Sequence, residues 1–298
     1  MRETKRGWIG SEEHKQLFCA EFERTHVRFD PEAIRWPELD AAELSRLRGL
    51  PIWDEAVRTE SATALEVSAL ARAEADPRLA KAIALQGYEE QRHAALLRLL
   101  TARYGIRVSP FDDPSPPRNP LWKFMSTGYG ECLDSFFAFG LFALGKQSRF
   151  FPEELIAIFD PVMQEEARHI LFIVNWAAYL RAQASLPLRP IFDLRRTWTI
   201  AGQIAAHLRQ GARMGGGPTS QEGFTMNAHA SFGDLSARSF LELCLSENDR
   251  RLGVYDARLL RPSLVAFPVR LALRVLPRRP SGVAGDGGGA EHARQPTI

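Results

Sequence analysis

Two pentapeptides share a frame that could do chemistry. Glu89-Glu90-Gln91-Arg92-His93 and Glu165-Glu166-Ala167-Arg168-His169 both read Glu-Glu-x-Arg-His. In each, a glutamate stands three residues before a histidine. On an α-helix, residues i and i+3 share a face, so a carboxylate oxygen and an imidazole nitrogen can bind one metal ion together. A single Glu-x-x-His is common by chance and reads as an acidic turn beside a core histidine. The same frame twice, each time inside a predicted helix, is far rarer, and makes Glu90, His93, Glu166 and His169 candidate ligands. Glu89 and Glu165 fall one residue off the ligand face. They are expected to be solvated or paired with Arg92, Arg168 or other arginines, and the alternative is support of the histidines.

The elements that must carry these residues follow from periodicity and punctuation. Asp54–Glu74 has helical spacing with no Gly or Pro. Asp76-Pro77 reads as the N-cap and first position of a second helix, which runs to about Tyr104 and stops at Gly105. Residues 106–120 hold five prolines and are expected to be a loop. A third helix spans about Leu121–Lys146. A fourth restarts at Pro152 and continues to about Ala184, with a kink or break expected at Pro161. Fifth and sixth helices are expected over 192–212 and 233–261. No segment alternates as a half-buried strand does. The fold class is all-α, with two helical hairpins within 54–184. Residues 1–53 read as an N-terminal arm packed on the bundle, 185–279 as additional C-terminal helices, and the Gly-, Pro- and Ala-rich 280–298 as a disordered tail.

Hairpin geometry locates the missing ligands. Residues equidistant from the turn of an antiparallel hairpin face each other. Reflecting Glu90 through the first turn, near Ala75, lands on Glu60. Reflecting Glu166 through the second, near Ser148–Phe151, lands on 130–136, where Glu131 stands. Glu66 competes with Glu60 but lies about a third of a turn out of phase, and its partner would be Ala84. Asp134 competes weakly with Glu131. The full set, Glu60, Glu90, His93, Glu131, Glu166 and His169, offers four carboxylates and two imidazoles around one cavity, a donor set suited to a pair of iron or manganese ions. Small residues beside it (Ala64, Ala71, Ser135, Ala138) could leave room for a substrate, although plain helix packing is the simpler reading.

Composition narrows the class. The chain has 298 residues, 45% hydrophobic and 25% charged, with a net charge of +2. This is the balance of an ordinary globular protein, and the charge is too small to argue for nucleic acid binding along the whole chain. Cys19, Cys132 and Cys244 are few and far apart, which disfavours a disulfide framework, a zinc ribbon and a rubredoxin-type centre. The N-terminus, Met1-Arg-Glu-Thr-Lys-Arg, has no apolar stretch resembling a signal peptide, and the expected location is the cytoplasm.

At these six residues the sequence resembles the ferritin-like superfamily of dinuclear metal carboxylate proteins, in which two helices each give a Glu and two give Glu-x-x-His. The resemblance covers 54–184 and implies a four-helix bundle that holds two metal ions, iron first, with manganese or a mixed pair as alternatives. It implies a dinuclear iron oxygenase or oxidase that oxidises or hydroxylates a small-molecule substrate with O2. Electrons would come from an external donor or reductase, because the chain shows no flavin, nicotinamide or iron–sulfur signature. Iron binding of the ferroxidase type, or peroxide removal as in manganese catalases and rubrerythrins, is the alternative. Glu90, with Glu131 or Glu166, is implied to bridge the metals.

The C-terminal half is less informative. His207 and His229 read as structural or surface residues. The polar stretch Glu247–Asp256 reads as a solvated face or subunit contact, and a homodimer is compatible with it. Residues 250–279 hold eight arginines against one acid, Asp256. An arginine-decorated helix packed on the bundle is the simplest reading, and contact with a membrane surface or RNA is the lesser one.

Overall fold

The structure, a computed structural model, describes residues 8–112, 114–214 and 236–276. The expected sites at His229, in the glycine-rich loop after Met214 and in the tail beyond Pro280 lie outside these residues. All regular structure among the described residues is helical. The helices are α1 (Glu12–Arg24), α2 (Ala41–Arg48), α3 (Trp53–Ala73), α4 (Pro77–Arg103), α5 (Pro120–Ser148), α6 (Glu153–Gln183), α7 (Arg189–Met214), α8 (Ala237–Gly253) and α9 (Ala266–Val275). Single 3-10 turns occur at Pro31–Ala33 and Leu186–Leu188.

Local chemistry sets the ends of the long helices. The Asp76 carboxylate accepts from the backbone N–H of Arg78 and Leu79, and Pro77 occupies the first position of α4, where no N–H is needed. Asn119 and Pro120 do the same for α5. Gly105 takes φ +60° just beyond α4, a conformation open to glycine at little strain. Arg149 closes α5 in the left-handed region at φ 51°. The short connections 74–76 and 149–152 fold α3 back on α4 and α5 back on α6.

The two hairpins pack together, α3 on α5 and α4 on α6. α1 lies across α4 and α6, α7 and α8 each pack on α5 and α6, and α9 packs on α8. The main core contains Val67, Ile83, Phe124, Ile170, Phe172 and Trp176, with Phe18 and Phe22 contributed by α1. Two glycines on α5 permit close approach. A Cβ at Gly128 would lie 2.5 Å from Ile173 Cγ1, and one at Gly140 would lie 2.2 Å from Cys244 Sγ. The three cysteines are free and buried. No helix among the described residues is long and apolar enough to cross a membrane.

Three expectations need correction. The break allowed for at Pro161 does not occur, and α6 continues through it. A proline removes one N–H, and buried Leu155, Ile156 and Val162 hold the helix in place on both sides of it. The sixth helix ends at Gly253 rather than 261. The following segment is fixed instead by Asn175, which accepts from Leu260 N at 2.9 Å and donates to Leu260 O at 3.0 Å. The stretch Glu247–Asp256 is not simply a solvated face. Arg251 is buried, donates to Asp160 at 2.9 Å, and lies over the rings of Phe139 and Phe142. Most arginines of 250–276 are paired within the chain: Arg250 with Glu247, Arg258 with Asp256 and Arg270 with Asp249.

Candidate metal centre

The six predicted side chains converge. Glu60, Glu90, His93 and Glu166 form one group in which each offers a ligand atom within 4.8 Å of the others, and Glu90, Glu131 and His169 form a second. Glu90 belongs to both. His93 Nδ1 lies 3.3 Å from Glu166 Oε1, 3.6 Å from Glu60 Oε2 and 3.7 Å from Glu90 Oε2. His169 Nδ1 lies 3.0 Å from Glu90 Oε1 and 3.9 Å from Glu166 Oε1. The two imidazole rings are 5.8 Å apart. The competitors sit elsewhere. Glu66 accepts from Thr127 at 2.6 Å and pairs with Lys123. Asp134 is exposed and pairs with His207.

Behind the ligand face, the two motifs are cross-strapped. His93 Nε2 donates to Glu165 at 2.8 Å, and His169 Nε2 donates to Glu89 at 2.8 Å. Arg92 donates to Glu165, and Arg168 to Glu89. The first glutamate of each pentapeptide thus holds the Arg and the His of the other. This overturns the expectation that Glu89 and Glu165 are solvated, since both are fully buried. Their pairing with arginine holds, and the pairs run between hairpins. One carboxylate cannot satisfy the Arg and His of its own helix turn while meeting those of the opposing helix, and burial excludes water as a substitute.

The N-terminal segment seals this layer. Arg168 donates to Phe22 O at 2.6 Å and Arg92 to Val27 O at 2.9 Å. Each guanidinium also covers an aromatic ring, Arg168 that of Phe22 and Arg92 that of Phe29. His26 reaches Glu89. Sequence reasoning missed His26, because no local pattern links residue 26 to residue 89. It also missed Gln86, which is buried one turn before Glu90 and donates to it at 3.4 Å; its i,i+4 spacing was a readable signal.

Electrostatics shows which charge the cluster favours. Burial and the neighbouring Glu90 and Glu166 push Glu60 up to about 8, against the pull of His93. Burial and nearby carboxylates hold Glu131 well above the carboxylate range. Burial opposes charge on Glu90 too, but the two imidazoles outweigh it and keep its pKa low. Burial likewise disfavours charge on His93 and His169, yet the surrounding carboxylates hold both well above the ordinary value. Glu89 is drawn down to about 2, because His169, Arg168 and His26 outweigh its burial. The site therefore demands positive charge, which protons must supply if no other cation does. Yet Nδ1 of His93, Nδ1 of His169 and Oε2 of Glu131 are buried with no hydrogen-bond partner. Each Nε2 already donates to a carboxylate, so the second proton of a charged imidazole, or a metal ion in its place, would sit at Nδ1 on the side that faces Glu60, Glu90 and Glu166. Bound metal cations would balance the carboxylates and take up both nitrogens. The residues could hold metal ions.

Of the small residues thought to leave space, Ala64 and Ser135 are buried in helix packing. A surface pocket of about 450 Å³, lined by Arg48, Trp53, Asp54, Gly105 and Arg107 among others, shares no residue with the cluster. Comparison with known proteins finds no matching family, no matching curated protein and no matching solved structure.

Proposed function

We propose that the protein is a dinuclear metal oxidoreductase on a ferritin-like bundle, an oxygenase or oxidase that uses iron and O2 on a small-molecule substrate. The observation that supports this reading is the convergence of Glu60, Glu90, Glu131 and Glu166 on two buried imidazoles, each anchored through Nε2 with Nδ1 facing the carboxylates. Glu60, His93 and Glu166 would hold one ion, Glu131 and His169 the other. Glu90, common to both groups, would serve each, and Glu166 lies within 4 Å of both imidazoles. When bound, such a pair supplies Lewis acidity and redox chemistry toward dioxygen.

The chain's own residues set the conditions for that chemistry. Glu89 and Glu165 fix the tautomer and ring orientation of the two histidines. Arg92 and Arg168 keep those carboxylates charged and in place, while Phe22, Phe29 and the backbone of 22–29 exclude water from behind. Glu60 and Glu166 keep partial exposure, 24% and 15% of the side chain, so solvent and substrate approach from the side where α3 and α6 present them. Reducing equivalents would come from a separate donor.

The test is oxygen uptake by iron-loaded protein with a chemical reductant. Catalytic O2 consumption that continues after the bound ferrous iron is oxidised, and is abolished by Glu60→Ala, is the expected result. Uptake that stops once ferrous ion is consumed would replace the reading with a ferroxidase. Oxygen release from hydrogen peroxide would replace it with a peroxide-removing enzyme.

A further inference from the structure

Helix α7 has apolar side chains on two sides. Its bundle-facing side packs Phe192 and Ile200 on the main core, with Phe192 against Trp122, and adds polar contacts. Arg181 donates to Asp193 through two bonds of 2.6 and 2.7 Å, Gln203 donates to Ser126 at 2.8 Å, and His207 meets Asp134 at 2.9 Å. Its outward side carries Ile191, Leu194, Trp198, Ala201, Ala205 and Leu208, all exposed, with Trp198 at 79% and Leu194 at 70%. Soluble helices place their apolar stripe against the core, so this stripe is built to be covered from outside.

The spacing identifies the cover. The six residues follow one another at intervals of 3, 4, 3, 4 and 3, the seam of a coiled coil, which needs a second helix of matching repeat. Size makes the seam self-complementary. In an antiparallel pair, Ile191 meets Leu208, Leu194 meets Ala205, and Trp198 meets Ala201, so that large residues face small ones in the inner layers. A parallel pair would set Trp198 against Trp198 and Ala201 against Ala201, alternating a clash with a void at a helix spacing of about 8–10 Å. The seam from Ile191 to Leu208 runs about 27 Å along the helix, and with its flanking side chains approaches the ~800 Å² per partner of a stable interface. A lipid surface fits less well. It has no need of a 3-4 spacing, and two arginines that would flank the stripe are turned onto their own chain, Arg189 to the carbonyls of Ala182 and Ala184, and Arg195 over Trp122.

We infer that α7 is the interface of a twofold homodimer, paired antiparallel with α7 of a second copy through Ile191, Leu194, Trp198, Ala201, Ala205 and Leu208. Sedimentation velocity of the full chain over two decades of concentration tests this. The expected result is a dimer that Ala201→Trp weakens at least about tenfold and that the swapped variant Trp198→Ala/Ala201→Trp restores. Both positions are exposed, so the variants should fold, as circular dichroism would show. A monomer at every concentration would overturn the inference, and cosedimentation of that monomer with anionic phospholipid vesicles would assign the stripe to a membrane. A dimer indifferent to Ala201→Trp would overturn it equally.

Discussion

The bundle interior and the outer face of α7 break the usual partition of side chains in opposite directions. In the interior, six Glu, two His and two Arg from two hairpins and their second layer crowd together where a small-molecule-free bundle would place Leu and Ile. On α7, Leu194, Trp198 and Leu208 point away from the core. Neither arrangement stabilises an isolated chain. Buried charge costs several kcal/mol per unpaired ion, and an exposed seam forgoes the burial that normally stabilises a helix. Each arrangement makes sense once something is added: cations in the first region, a second helix in the second. Departures from inside-out order in a well-packed chain thus point to what the chain binds.

The interior should be the more brittle of the two. Replacing Glu89 by Leu leaves Arg168 and His169 buried without their acceptor, and should cost about 3–5 kcal/mol in chemical denaturation. A loss under 1 kcal/mol would break the comparison, because the cross-strap would then be incidental. Gly128→Ala sharpens it by pressing a methyl group against Ile173, and about 1–3 kcal/mol should be lost through overpacking alone. Its metal content should remain unchanged, whereas that of Glu89→Gln should show affinity weakened by about 10–100-fold.

A carboxylate at the edge of the fold, half-exposed Asp160 between exposed Lys146 and buried Arg251, gives an intermediate scale. Burial raises the Asp160 pKa, but hydrogen bonds from Lys146 and Arg251 outweigh it and hold the carboxyl below its ordinary value. Its contribution is therefore present above about pH 4 and is lost as pH falls through the folded pKa. Asp160→Asn should be less stable at neutral pH by about 1–2 kcal/mol, because buried Arg251 loses its charged acceptor while Glu247 stays 3.8 Å away, and the gap should close in acid. The smallest effect belongs to α7. Trp198→Ser should leave the stability of the monomer within about 0.5 kcal/mol, measured at a dilution where dimers dissociate. A large loss there would mean that the side chain packs on its own bundle.

Much of this was legible in the sequence. Capping residues and prolines marked both hairpins to within a residue or two. Reflection through the turns separated Glu60 from Glu66, because hairpin pairing is local geometry, but it narrowed the second position only to 130–136, where both Glu131 and Asp134 stand. The cross-strap was not legible. Glu89 meets His169 across 80 residues, and nothing in a helical period tells how one hairpin is rotated against another. The burial of Arg251 was hidden for a similar reason, since a charged residue is read as exposed until its partner, Asp160, and the rings beneath it are known. The α7 spacing stood in the sequence, but which stripe meets the bundle depends on the packing of Phe192 and Ile200 and on polar contacts to α5 and α6, which periodicity cannot weigh.

Metal content tests the central claim most directly. The full chain, purified without chelator and offered iron and manganese, should carry about two ions per chain by elemental analysis, and Glu90→Ala/Glu166→Ala should carry none while keeping its helical circular dichroism. A folded native protein that stays metal-free after both ions have been supplied would contradict the account, and the clustered glutamates and histidines would then be a buried polar network.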